Sequence, residues 1–388
     1  MELRFRVRSA AAARVVAGRP RIRIRPAART SPTLWAQMRL CALRAALSTA
    51  KEAEGWVLHS PRAWLGTAFH VLMAARPSDA GEAERVWDTA IAGLLAASSG
   101  HRLDKRFASP ERWPGYYLVR QRAIASAVQG VLPPASARLP AGGRRPLRGT
   151  ELLLTARDGL LAGRPDEFDR QSVTEFKSAL PDPAWPEAES LTEGYWRQLR
   201  LYAVLIGETA EWPAVARIVA ASGQVLTRDV DRPACEAEAD AAVAGLRAMN
   251  EALGHGSGSA QLATPGEIEC GQCQYQAICP AFWSWCETMS WPQLRQPAAR
   301  GIIEAIDPGV DGDVYAVTLR LDGRHGEGGP LPLALRRSVH GDLTGCGLGA
   351  QIRVVHAQMR QDGRLRADMS TCVFAEDELP ELEFRRSA

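Results

Sequence analysis

The pattern that most constrains this chain is a pair of apolar runs joined by a polar turn, followed by a strand carrying an acid and a lysine two residues apart. Leu152 to Leu154 and Leu160 to Leu161 flank the break Thr155 to Gly159 and read as a hairpin, with Asp166 at the end of its second strand. After a short turn at Gln171 and Ser172, a third strand runs Val173-Thr174-Glu175-Phe176-Lys177. Side chains alternate faces along a strand, so Glu175 and Lys177 share one face while Phe176 enters the opposite layer. Asp166, Glu175 and Lys177 can then meet at one point. Alone, the triplet also fits a surface hairpin without chemistry. Two carboxylates beside an ammonium equally suit a hard divalent cation, Mg²⁺ or Mn²⁺, with positions left open for water and a phosphate oxygen. The lysine is then placed to orient or activate the attacking water.

Three further spacings bear on this point. Trp64 to His70 reads as the start of a helix following Pro61, and Gly66 lies one turn from His70, leaving room beside the imidazole. A helix through Tyr195 to Tyr202 presents the Gln198 amide and the Tyr202 phenol side by side. Cys270, Cys273 and Cys279 supply three thiolates on a compact turn, and a closed tetrahedral or cubane site needs a fourth. On spacing alone zinc competes with iron-sulfur. The candidates for the fourth ligand are Cys41 and Cys286. Cys41 falls on the apolar face, with Leu34, Met38 and Leu47, of a helix opened by Ser31 and Pro32. Trp283 and Trp285 mark Cys286 as part of a packed helix.

Taken in order over about residues 31 to 290, these motifs resemble the PD-(D/E)XK nuclease superfamily, in its RecB-like and Cas4-like branch. The resemblance implies an α/β fold, a restriction-endonuclease-like mixed sheet flanked by helices. It implies that Asp166, Glu175, the Phe176 carbonyl and His70 hold Mg²⁺ or Mn²⁺, and that Lys177 positions the water. Gln198 and Tyr202 would contact DNA or the catalytic groups, and Glu151, at the head of the first strand, would be an accessory acid. A 4Fe-4S cluster on Cys41, Cys270, Cys273 and Cys279 would staple the ends of the domain together. Ala42 departs from the family, where a proline commonly follows the first cysteine. The implied activity is metal-dependent cleavage of DNA, at single strands or ends, in repair, recombination or defence against foreign DNA, with room for a helicase partner. A non-catalytic iron-sulfur DNA-binding scaffold is the alternative.

Length and composition set the frame. At 388 residues the chain has room for two domains, and a 46% hydrophobic, 23% charged composition is ordinary for a soluble protein. No apolar run approaches the roughly 20 residues of a membrane span. A net charge of +3 leaves any attraction for nucleic acid to local patches. Eight unevenly placed cysteines fit a reducing cytoplasm better than a disulfide framework.

Residues 1 to 30 form a basic arm with nine arginines and one acid, in which Arg21 to Arg25 alternates like an edge strand. Residues 31 to 292 form the nuclease domain. In it, residues 81 to 98 (Trp87, Ile91, Leu94) and 115 to 130 (Tyr117, Ile124, Val128) read as amphipathic helices. Residues 132 to 149 read as a loop whose Arg144, Arg145 and Arg148 are solvated or contact phosphate. Ala214 to Ala220 and Gln224 to Val230 extend the sheet, and a helix covers 233 to 253. From 298 to 380 short alternating stretches suggest an OB-like β-barrel, with Tyr315 and Phe374 as its few aromatics and a solvated acidic tail from Glu376 to Glu383.

Overall fold

A computed structural model describes residues 19–98, 101, 103–129, 148–256, 258–289, 297–309, 312–323, 329–341, 343, 346–360 and 365–384. Arg144 and Arg145, and the arm before residue 19, lie outside the described residues. Strand β1 (Arg21–Ile24) precedes α1 (Pro32–Leu40), whose first turn holds Pro32 and whose capping Ser31 Oγ accepts from the Leu34 N–H at 3.1 Å. The single helix expected through Cys41 and Leu47 is two: Cys41 is extended (φ −163°, ψ 117°), and α2 (Ala42–Ser48) restarts after it. Cys41 therefore stands half-buried at a joint instead of on an apolar helix face. No proline or glycine marks the break, so periodicity reads both halves as one.

Helix α3 (Pro61–Ala75) is capped by Ser60 and is followed by α4 (Ala80–Ser98), which buries Ala83, Trp87 and Ile91. Helix α5 (Tyr116–Val128) departs from expectation: Tyr117 and Val128 are exposed, and Ala123 and Ser126 face inward. The chain then lays down β2 (Gly149–Thr150), the hairpin β3 (Leu154–Ala156) and β4 (Leu161–Gly163), β5 (Glu167–Phe168) and β6 (Ser172–Lys177). Next come α6 (Ala188–Thr209), β7 (Val215–Ala220), β8 (Val225–Asp229) and α7 (Arg232–Gly254). The main sheet has the order β2-β5-β6-β7-β8; β6 and β7 run parallel across α6, and the other pairs are antiparallel. A parallel pair needs such a long crossover. The β3–β4 hairpin forms but stands apart from this sheet, and Asp166 is not at the end of its second strand: β4 stops at Gly163, and Asp166 directly precedes β5.

Two layers of helix cover the mixed sheet. Val173 and Ile218 pack with α6 and α7, whereas Phe176 and Val219 pack with α3, α4 and α5. Glu175 shares the face of Val173 and so looks toward α6.

Short helices α8 (Ser259–Leu262), α9 (Glu267–Gly271) and α10 (Pro280–Cys286) lead into the C-terminal part. It contains β9 (Ala299–Asp307), β10 (Val314–Leu321), β11 (Leu331–Arg336), α11 (Arg337–His340), β12 (Gln351–Val355), β13 (Gln358–Met359), β14 (Leu365–Arg366), β15 (Cys372–Ala375) and β16 (Glu381–Phe384). Five of these strands form an antiparallel sheet in the order β11-β10-β9-β12-β15, and its two edges do not pair, so the expected OB-like barrel is an open sheet. The reason lies in β15. Val373 enters the core of this sheet, but Cys372 and Phe374 enter a second core with Ile22, Leu43, Leu47 and Phe282. That strand is held against the N-terminal region and cannot curl toward β11.

Two other expectations are corrected here. Tyr315 and Phe374 are each only 1% exposed, so neither offers a ring for stacking bases. The acidic tail is not simply solvated: β16 pairs in parallel with β1, Arg23 lies 3.6 Å from Glu383, and Glu376 takes the Arg353 guanidinium. Among the described residues, no helix is long and apolar enough to cross a membrane.

Candidate active site

The register of the central strands brings the carboxylates together. Glu167 pairs with Thr174 in the β5–β6 ladder, so one further step sets Asp166 abreast of Glu175. Asp166 is fixed there by its Oδ2, which accepts the Phe176 N–H at 2.6 Å. Its Oδ1 lies 3.1 Å from His70 Nδ1, reached from α3. The helix is tied to the same strand pair by an ion pair between Arg76, just past its last turn, and Glu167.

On the α6 side, Glu175 Oε1 accepts from Lys177 Nζ at 2.5 Å and from Gln198 Nε2 at 2.9 Å. Gln198 also reaches the Tyr202 hydroxyl at 3.2 Å, so the amide and phenol one turn apart form a single chain of contacts with the acid. Lys177 Nζ sits 4.6 Å from the centre of the Tyr195 ring. The structure thus gathers Asp166, Glu175, Lys177, His70, Gln198 and Tyr202, while the Phe176 ring points away and meets Phe69 at 6.4 Å.

Electrostatics distinguish the two acids. Glu175 is 2% exposed, and burial pushes its carboxyl up to about 7, with Lys177 opposing the rise and the Asp166 charge adding to it. Its Oε2 is buried with no hydrogen-bond partner. Such an oxygen is costly unless something binds it. For His70, burial disfavours the charged ring, but the bond to Asp166 and the charges of Asp166 and Glu175 outweigh it and hold the pKa above its ordinary value. Burial also keeps the Tyr202 phenol well above its usual range, hence protonated.

Glu151 comes closer than a strand-head position implied. It follows β2 in a left-handed bend (φ 51°), and its carboxylate joins His70 and Asp166 in a trio whose ligand atoms all lie within 4.8 Å of one another. Burial and the Asp166 charge raise its pKa. A carboxylate pair with an imidazole and an unsatisfied buried carboxylate oxygen is a donor set that fits a hard divalent ion.

The sequence patterns missed two contributors. Tyr195 precedes Gln198 by three residues, a spacing that places it on the same helix face. Gly163 was not singled out, yet a Cβ there would lie 2.9 Å from Leu205 Cδ1 and 3.1 Å from Tyr202 Cε1, so its bareness lets α6 approach β4. Conversely, a Cβ at Gly66 would meet only Ser178 Oγ at 3.8 Å, so this glycine does not make space for His70.

The cysteines converge at a separate place. Cys41, Cys270, Cys273 and Cys279 line one small pocket with Arg44, Tyr275 and Gln276. The Phe282 N–H points at Cys279 Sγ at 3.4 Å, at the start of α10. Burial pushes the Cys270 thiol up to about 11 and Cys279 up to about 12, and raises Cys273 as well. Together with Cys41 these thiols make a donor set that fits a thiophilic metal group. Cys286 is turned elsewhere, its S–H aimed at the Ala298 carbonyl at 3.7 Å. Cys235 is on the buried face of α7, and nothing in the structure gives it a chemical role.

A family model described as the PD-(D/E)XK nuclease superfamily matches residues 29–280. No curated protein matches the chain.

Proposed function

The chain belongs to the PD-(D/E)XK nuclease superfamily, and on that premise we propose that it is a RecB-like, Cas4-like deoxyribonuclease that cleaves single strands or ends with Mg²⁺ or Mn²⁺. The observation that carries this reading is the shared contact of Lys177 and Gln198 with one oxygen of Glu175, beside the His70–Asp166 pair.

Asp166, Glu175 and His70, with the Phe176 carbonyl and Glu151 at the rim, would hold the ion. When bound, it supplies Lewis-acid stabilisation of charge on the phosphate and a more acidic water. Lys177 orients that water and counters the charge that develops on the phosphoryl oxygens. Gln198 fixes the Glu175 carboxylate in its rotamer, and the protonated Tyr202 hydroxyl supports Gln198. The Tyr195 ring limits where the ammonium can move.

Cys41, Cys270, Cys273 and Cys279 would ligate a 4Fe-4S cluster that joins α1–α2 to the segment after α7. Zinc is the competitor. Iron and sulfide content separates the two. Repair, recombination or defence against foreign DNA is the setting, with a helicase as a compatible partner.

The test is digestion of 5′- and 3′-labelled single- and double-stranded DNA by anaerobically purified protein with Mn²⁺, Mg²⁺ or EDTA. Metal-dependent cleavage that Asp166→Asn abolishes is expected. Wild-type protein that binds these substrates but cuts none with either metal would overturn the reading in favour of a non-catalytic scaffold.

A further inference from the structure

A groove of about 950 Å³ lies between the 106–112 segment and the C-terminal sheet. Its lining includes Arg106, Arg112, Arg336, Arg360 and Arg366 against a single carboxylate, Asp368. One oxygen of Asp368 is already engaged by the Ser370 N–H at 2.7 Å. Among the described residues no carboxylate pairs with Arg106, Arg112 or Arg366, and Arg336 has only a long exposed contact to Asp313 at 3.9 Å. Arg106 carries Nε and Nη2 buried without a hydrogen-bond partner. Arg106 Nη1 reaches the Thr371 carbonyl and Cys372 Sγ, but among the described residues no carboxylate offsets its charge, and such concentrated cationic charge is relieved by a bound anion. Guanidinium forks suit phosphate oxygens in particular.

The wall itself narrows the choice of anion. Along β11 the outward side chains are Pro332, Ala334 and Arg336, alternating with the buried Leu331, Leu333 and Leu335. With Ala316 on the neighbouring strand this surface is small, and the one ring among the lining residues, His340, is held in place with both nitrogens engaged, by the Asp368 carbonyl and the Arg336 N–H. A polymer held here is gripped by its phosphates. The other wall is anchored to the layer that carries the candidate active site. Phe107 and Trp113 flank it and share a core with Phe69, next to His70, and with Phe176, between Glu175 and Lys177.

We infer that this groove binds the phosphodiester backbone of a single nucleic-acid strand, without regard to base sequence. That this strand is the one cleaved rests on the function proposed above. The test is fluorescence anisotropy of labelled oligo-dT, a mixed-sequence single strand and a duplex of equal length, in EDTA, across a range of salt. Wild type is compared with the double variant Arg336→Ala/Arg366→Ala; both side chains are exposed, away from the candidate active site.

The expected result is about tenfold weaker binding of both single strands. The slope of log affinity against log salt should fall by about 1.4, at roughly 0.7 per lost single-strand phosphate contact. Mn²⁺-dependent hydrolysis of bis-p-nitrophenyl phosphate, too small to span a groove, should not change. Unaltered affinity and slope overturn the groove whether or not the wild type cleaves DNA. An equal loss on the duplex overturns the single-strand assignment. Failure of the wild type to cleave anything, with the slope change intact, removes the nuclease reading and leaves the groove.

Discussion

The Lys177 ammonium lies 2.5 Å from Oε1 of Glu175, while Oε2 of the same carboxylate is buried with no partner. One oxygen is thus occupied by the chain's own donors, and the other keeps its lone pairs for a cation. Lys177→Met keeps the stem and removes the charge. It should lower kcat by about 10²–10⁴-fold, the range for a lost proton-transfer or charge-stabilising group. Mn²⁺ affinity should change far less, because the liganding oxygen remains. Single-turnover cleavage beside a Mn²⁺ titration separates the two; equal loss in both would mean that Lys177 acts only by positioning Glu175.

Asp166 both faces the site and accepts the Phe176 N–H. Asp166→Ala removes that acceptor and should cost about 1–3 kcal/mol of stability along with activity. Asp166→Asn keeps an acceptor oxygen in place, so its urea midpoint should stay near wild type while cleavage is lost. Comparable destabilisation in both variants would argue against the backbone bond as a structural tie.

The raised carboxyl of Glu175 sets a pH dependence. Its folded pKa, about 7, lies above the ordinary Glu value of 4.5, so the folded state holds this proton more tightly than the unfolded one. The stabilisation is fully present below pH 4.5 and is lost as pH rises through 7. Metal binding requires the ionised form and releases the proton. Without metal, stability should therefore fall between these limits while Mn²⁺ affinity climbs. Calorimetry at pH 6.5 in buffers of different ionisation enthalpy should detect proton release; none would exclude Glu175 as the titrating ligand.

The cysteine pocket makes a variant-by-variant prediction. Anaerobically prepared protein should be brown, with roughly four irons per chain and broad absorbance near ~400 nm. Cys41→Ser should lose most of that iron. Cys286→Ser should keep it, because its thiol faces the Ala298 carbonyl instead of the pocket. Iron lost from Cys286→Ser and retained in Cys41→Ser would reverse the assignment.

Ile24 is fully buried in the core that also holds Phe374 and Leu379. Ile24→Ala should cost about 2–5 kcal/mol, the range for truncating a buried aliphatic side chain. A urea midpoint shift checks this; a negligible shift would mean that β1 contributes little to the fold.

What the sequence made legible was local. The alternation of Val173 to Lys177 correctly separated Glu175 from Phe176, and the four-residue spacing of Gln198 and Tyr202 placed both on one helix face. Those relations depend only on backbone period. Cys41 was misplaced because its extended backbone breaks the helix where neither proline nor glycine signals it. The open sheet and the paired tail were hidden for a different reason: β15 and β16 are positioned by residues more than 300 places earlier in the chain, such as Leu43 and Arg21 to Ile24. Glu151 was undervalued because its left-handed backbone, which brings the carboxylate to His70, has no sequence signature in a non-glycine residue.

The parallel alignment of Arg21–Ile24 with Glu381–Phe384 carries a consequence for biosynthesis. Strand β1 finds its strand neighbour only after residue 384 has left the ribosome, although Ile22 and Ile24 share their core with nearer residues such as Leu43 and Leu47. The hydrophobic shell around the cysteines, to which both isoleucines belong, is then sealed last. A ribosome-stalled chain ending before residue 372 should leave that shell open to solvent, and the cysteines within reach of whatever they are to bind.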